Sequence, residues 1–252
     1  MEFQAALPAE GNTDAERNEA LREMVEQMAK AWHGPAPHPI SPTPAAIALC
    51  DLIVGASPAP PKDEASLSVP LGKEASELEP FEVDLRAGPH YLIAGPAQSG
   101  KSTLLQSWLL ALAQCYDPSC LCLYVIDSRR MMLLPLKGLP HVRAYAGESS
   151  QADEILREVD EQIKARQRAF EASLRDVSHG SVSSQMAVCQ RPALVLAIDD
   201  LLDPSDDLTS DEAKERLTAL LRQGRRFGFH SLVTGSAYDL ASKGYQEPVK
   251  ML

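Results

Sequence analysis

The sequence predicts an α/β fold, with a mainly parallel sheet flanked by helices on both faces and preceded by a helix and a proline-rich linker. Three observations predict it. From residue 67 onward, short apolar runs alternate with segments of helical periodicity, the order that crossover units and parallel sheets produce. Leu194 to Ile198 is apolar at every position, as a strand covered on both faces must be. His90 to Ala94 leads through a glycine-bounded loop into a helix rich in leucine and alanine, which is the strand–loop–helix order of a phosphate-binding unit.

Taken in order, residues 1–12 read as disordered. A helix then begins at Thr13, where Thr13-Asp14-Ala15-Glu16 forms a capping box. Leu21, Met24, Val25, Met28, Ala31 and Trp32 recur at helical spacing. The stripe reads as a docking face for the same chain, with a partner site as the alternative. Gly34 to Pro44 carries five prolines and reads as an extended linker, and Pro58-Ala59-Pro60-Pro61 continues it. Ile47 to Val54, between them, reads as a short helix. Residues 1–66 are thus a helix and linker region, with 67–252 as the domain that follows.

Within that domain, Leu67 to Leu71 and Phe81 to Leu85 alternate as short strands, and His90 to Ala94 is the strand before the loop. A helix is expected over Ser102 to Gln114, then strands at Leu121 to Asp127 and His141 to Ala146. Gln151 to Leu174 is a long charged helix with Ile155, Val159, Ile163 and Phe170 inward. Asp176 to Arg191, rich in serine, reads as a loop. Ala193 to Asp199 is a buried strand, Thr209 to Arg225 a helix, and Phe229 to Thr234 the last clear strand.

Composition narrows the classes. At 252 residues with 44% hydrophobic content, the chain can bury a sizeable core. No apolar run reaches the length of a membrane span, and the first residues are not a secretory signal. The five cysteines follow neither zinc spacing nor a disulfide framework, which suggests reduced thiols in a cytosolic setting, with Cys115 as a small core hydrophobe. Of the net charge of −11, most lies early: residues 1–90 carry 6 Lys and Arg against 15 Asp and Glu, and the rest 18 against 20. Neither part has the basic excess of a module that neutralises many phosphates, so there is no strong nucleic-acid signal.

The most specific feature is Gly95-Pro96-Ala97-Gln98-Ser99-Gly100-Lys101-Ser102, a complete G-x-x-x-x-G-K-[ST] loop followed by Thr103. A chance match in a chain of this length has odds of roughly one in a hundred. The glycines let the backbone curl so that successive N–H groups face phosphate oxygens. Lys101 supplies a point charge for the β- and γ-phosphates, and the Ser102 hydroxyl is a Mg²⁺ ligand. The helix N-terminus behind them adds positive potential. Ligands implied are therefore ATP and Mg²⁺.

The run Leu194 to Asp200 is an apolar strand ending in two carboxylates. Asp199 suits the acid that holds Mg²⁺ through its water shell. Asp200 stands open between the residue that orients an attacking water and a turn or cap residue. Asp127 also ends a strand, at the edge where ligands of open sheets gather. Arg129, Arg130, Arg222, Arg225 and Arg226 are candidates for charge contacts, including with a neighbouring subunit's phosphate. His90, His141 and His230 flank strands and read as structural hydrogen-bonding residues.

The ordered set of motifs resembles the FtsK/SpoIIIE family of ring-forming motor ATPases over roughly residues 67–252. It comprises Val69-Pro70-Leu71-Gly72 with Asp84-Leu85, Gly88-Pro89-His90 before the loop, Val125-Ile126-Asp127-Ser128-Arg129-Arg130 and Leu139-Pro140-His141-Val142. Asp199-Asp200 and Gly224-Arg225-Arg226-Phe227-Gly228-Phe229-His230 complete it. Within the family it is most similar to the ATPase domains of type VII (ESX) secretion motors, EccC or EssC.

The resemblance implies a RecA/FtsK-like P-loop fold, and nucleotide held by Gly95 to Thr103. It also implies Mg²⁺ at Ser102 and Asp199, and catalysis at Asp200. It further implies other ATPase domains of the same translocase as partners, small helical WXG-motif export substrates, a hexamer in the full assembly, and a place in the cytosolic part of a membrane-anchored protein. Gln98 stands where the family usually has glycine, Asp200 where it has glutamate, and Gly235-Ser236 where it has a Thr-Gln sensor. The chain also stops before the family's final strands. These departures point to a motor domain that binds nucleotide and, alone, hydrolyses it weakly or not at all. The alternatives are a non-hydrolysing module that binds export substrates and regulates a neighbouring motor, and a DNA translocase domain.

Overall fold

The structure is a computed structural model that describes residues 9–34, 42, 44–54, 67–75, 78–127, 131–175, 182–201 and 211–236. The chain divides into two compact units, Met1–Pro42 and Thr43–Leu252. The first contains helix α1 (Asp14–Ala31), opened by the expected capping box. Thr13 Oγ1 accepts from the Glu16 N–H at 3.2 Å, and Glu16 Oε2 accepts from the Thr13 N–H at 3.3 Å. Met24, Val25 and Met28 of its apolar stripe are exposed.

The second unit starts with the one-turn helix α2 (Leu49–Leu52), then β1 (Ser68–Lys73) and β2 (Pro80–Asp84), an antiparallel pair with an irregularity between Pro70 and Gly72. The main sheet follows. Its strands are β3 (His90–Gly95), β4 (Leu121–Ile126), β5 (Val142–Ala146), β6 (Ala193–Ile198) and β7 (Phe229–Ser236). They are all parallel, in the order β3-β7-β6-β4-β5. The connecting helices are α3 (Lys101–Cys115), α4 (Ser149–Arg175), α5 (Val182–Cys189) and α6 (Asp211–Gln223).

Topology decides which helix covers which face. The β3 to β4 and β4 to β5 connections move one way across the sheet, whereas β5 to β6 and β6 to β7 move back. Crossovers of one hand must then lie on opposite faces. The two cores obey this. One joins Leu105, Trp108, Leu109 and Leu112 of α3 with Leu133 and Leu136, and with Ile53, Val69 and Leu85 beneath the small sheet. The other joins Ile155, Leu156, Val159 and Ile163 of α4 with Leu217, Leu220 and Leu221 of α6. Central strand β6 sends Val195 and Ala197 into the first core and Leu194, Leu196 and Ile198 into the second. That is why it is apolar throughout.

Three segments depart from the expected pattern. Residues Val182–Cys189 form α5 rather than loop, where Cys189 packs on the second core. A 3₁₀ turn at Leu134–Gly138, seating Leu136 in the first core, joins β4 to β5. The expected helix before the last strand gives way after Gln223 to a 3₁₀ turn, Gly224–Phe227; Thr209, its expected start, lies outside the described residues. The proline-rich stretches fall mainly outside the described residues as well.

Candidate nucleotide site

Gly95 ends β3 and opens the loop. It is buried, and a Cβ there would meet Ser99 Oγ at 2.5 Å, so a larger residue would need the Ser99 side chain to turn away. Pro96, Ala97, Gln98 and Ser99 carry the chain around on the exposed side. Gln98 sits at φ 63° and Gly100 at φ 89°, the left-handed turns that aim neighbouring N–H groups into one concavity. Gly100 is the N-cap of α3. No side chain caps that helix and no acid lies in its first turn, so its free N–H groups and positive potential face outward. Lys101 Nζ donates to the Pro96 carbonyl at 2.9 Å and folds over the loop. Thr103 is exposed on the same turn.

The second half of the site comes from β6, 97 residues away in sequence. Ser102 Oγ donates to both Asp199 oxygens, at 2.9 and 2.8 Å. The donated proton leaves lone pairs on Oγ for a cation, and the carboxylate sits behind it. Asp199 is buried, at 3% exposure. The donor set is a hydroxyl with a carboxylate behind it, beside backbone N–H groups, and it fits Mg²⁺ held with phosphate oxygens. Asp200 comes next, at φ 67°, its N–H donating to Thr234 Oγ1 at 2.8 Å. Its conformation is that of a turn residue, adjacent to the site.

Other candidates are placed differently. Asp127 Oδ2 accepts from the Leu133 N–H at 2.7 Å and from the Tyr145 hydroxyl at 3.0 Å. It anchors the β4–β5 connection, and burial together with this carboxylate pushes the Tyr145 phenol up. Arg129 and Arg130 lie outside the described residues. Arg222, Arg225 and Arg226 sit just before β7, at the N-terminal edge of the parallel strands, opposite the loop. They do not serve this chain's own phosphate loop.

The histidines are structural as expected. His90 Nε2 donates to the Leu221 carbonyl at 3.1 Å, which leaves Nδ1 to accept from Ser231 Oγ at 3.0 Å. His141 Nε2 bonds the Tyr116 carbonyl at 2.7 Å. The residue that sequence reasoning missed is Thr234, fully buried on β7, whose Oγ1 donates to Asp199 Oδ1 at 2.6 Å. Its signal in the sequence is weak, since β7 also carries the hydroxyls of Ser231 and Ser236. Among the described residues no cluster of metal-ligating side chains competes with this site, and no helix is long and apolar enough to cross a membrane.

Comparison with known proteins agrees with the geometry. The chain is 28% identical over 249 residues to the ESX secretion system protein EccC of Thermomonospora curvata, covering 98% of this chain and 18% of that protein. It is 30% identical over 171 residues to the DNA translocase SftA of Bacillus subtilis, covering 66% of this chain and 18% of the relative. The chain thus spans under a fifth of the length of either. Among solved structures, Thermomonospora curvata EccC (ATPases 2 and 3) in complex with a signal sequence peptide matches with a TM-score of 0.66. The identity is 23%, over 96% of this chain and 40% of that one, and it shows the fold. The FtsK/SpoIIIE family model matches residues 56–244, which contain the loop, both β6 carboxylates and β7; the chain belongs to the FtsK/SpoIIIE family.

Proposed function

We propose that this chain is an ATP- and Mg²⁺-binding motor domain of a type VII secretion translocase, of low intrinsic hydrolytic activity. The observation that carries it is the Ser102–Asp199 pair, which joins the phosphate loop to the acid-ended strand. Gly95 to Thr103 hold the phosphates through backbone N–H groups and the α3 N-terminus. Lys101 exchanges the Pro96 carbonyl for phosphate oxygens, and Ser102 and Asp199 hold the metal. When bound, Mg²⁺ neutralises charge on the phosphate oxygens. Asp200 is the residue proposed to orient water, its carboxylate one methylene shorter than a glutamate's.

Relatives named as ESX secretion proteins support the translocase reading. On that reading the partners are further ATPase domains of the same translocase, arranged as a hexamer, and small helical WXG-motif substrates. The domain, residues 67–252, then works on the cytosolic side of a membrane-anchored protein.

A second reading has its own support. Asp200 is held in a left-handed turn, and Gly235 brings no side chain beside Ala94, where the family has a polar sensor residue. This favours a non-hydrolysing module that binds export substrates and gates a neighbouring motor.

Calorimetric titration with Mg²⁺-ATP and Mg²⁺-ADP tests the nucleotide site, with Lys101→Ala as control. Saturable binding is expected in the wild type, weakened at least about a hundredfold in the variant, because a charge-assisted contact to phosphate is lost. A folded wild-type chain that binds neither nucleotide would leave the recognition module as the function. Turnover that vanishes in Lys101→Ala separates the motor from that module.

A further inference from the structure

We propose that Thr234 is a positioning residue for the nucleotide site, its hydroxyl fixing Asp199 against Ser102 and holding the Asp200 backbone in its turn. The inference rests on the nucleotide reading above. It follows from hydrogen-bond directions that leave no choice. The Asp200 N–H can only donate, and it meets Thr234 Oγ1 at 2.8 Å. The single hydroxyl proton of Thr234 therefore goes to Asp199 Oδ1, at 2.6 Å. The Thr234 carbonyl also accepts the Leu201 N–H at 3.1 Å. One fully buried residue thus holds three consecutive positions after β6.

Location gives these bonds a functional direction. In the β3–β7 register Thr234 lies opposite Ile93, two residues before the loop opens at Gly95. The Asp199 carboxylate is gripped from two sides, by Ser102 from the phosphate loop and by Thr234 from β7. When a cation draws the Ser102 oxygen toward itself, Thr234 keeps the carboxylate aimed. Without that hydroxyl the carboxylate turns about its own bond, and Asp200 loses the acceptor that offsets its left-handed backbone. Valine keeps the shape of threonine and removes both hydrogen bonds. Serine keeps the hydroxyl.

The test uses the whole chain, with ADP as the probe. Wild type, Thr234→Val and Thr234→Ser are titrated with and without Mg²⁺, and backbone amide exchange is followed at Asp200. The gain in ADP affinity that Mg²⁺ confers is expected to fall about tenfold in Thr234→Val, one charge-assisted hydrogen bond being lost. Affinity without Mg²⁺ should hold, and Thr234→Ser should restore the gain. The Asp200 amide should exchange faster in the valine variant alone. A valine variant with the full Mg²⁺ gain, or one losing both affinities equally, overturns the proposal and leaves the nucleotide reading standing. A wild-type chain that binds ADP under neither condition overturns that reading, and this proposal with it.

Discussion

Gly228 is a residue whose identity the backbone dictates. It sits at φ 75°, and a Cβ there would lie 2.3 Å from the Gln190 carbonyl oxygen, inside any tolerable contact. Its own carbonyl accepts the Leu194 N–H at 2.8 Å, so the chain cannot shift aside without opening the start of β6. Gly228→Ala should therefore cost about 2 kcal/mol or more, read as a lower urea midpoint with nucleotide affinity retained in the folded fraction. At this scale the phosphate loop was legible because its chemistry is local: glycines, lysine and serine adjacent in sequence do their work adjacent in space. Asp199 was legible as an acid at a strand end. Thr234 was not, because its role exists only once β7 lies against β6 and brings its hydroxyl to a carboxylate 35 residues earlier. Asp127 was visible as a strand-end acid, but its use as an anchor for Leu133 and Tyr145 needed the turn that follows β4.

Between elements, two histidines tie stability to pH, His90 partly buried and His230 buried. His90 bridges β3 to the end of α6 at Leu221 and to β7 at Ser231. Burial pushes it from 6.5 down to about 4, against the Leu221 bond, with Arg225 adding to the fall. On β7, His230 is likewise pushed down to about 4 by burial, then by His90 and Arg86. The folded state thus binds fewer protons than the unfolded chain between about pH 6.5 and about 4. The stability tied to the neutral rings is complete above about 6.5, falls through that window and levels off below it. Urea unfolding at pH 7 and pH 5 should show a loss on the order of 1 kcal/mol from His230, absent in His230→Gln. An unchanged pH slope in that variant would remove His230 as the cause. The same elements show what patterning can read. Strands β3 to β7 and helices α3, α4 and α6 were legible because each packs a repeat of apolar residues, buried or half-buried, against the two cores. Helix α5 was not, since its serine-rich segment has weak helical preference and is held by packing Cys189 onto the second core. The 3₁₀ turn at Leu134–Gly138 was equally hidden, one buried leucine being too short a pattern.

For the whole molecule, charge separates the two kinds of relative that share this family. A DNA translocase and a secretion ATPase can have the same sheet, the same loop and the same β6 acids, so neither the fold nor the site chooses between them. Affinity for duplex DNA comes mainly from lysines and arginines that displace counterions, and needs a basic surface. Here the net charge is −11, and residues 91–252 carry 18 Lys and Arg against 20 Asp and Glu. Acids of α4 pair with basic residues on α4 and on β5, as in the Lys164–Asp160 pair at 2.6 Å and the Arg143–Glu158 contact at 3.5 Å. Arg166 is spent on the Phe227 and Pro192 carbonyls at 2.6 and 2.7 Å. Fluorescence anisotropy with a labelled duplex, at about 50 mM and about 200 mM salt, should show no saturable binding at either. Saturable binding at the lower salt that collapses at the higher one would mean that the described basic residues are not so neutralised, and would move the functional assignment to the DNA translocases.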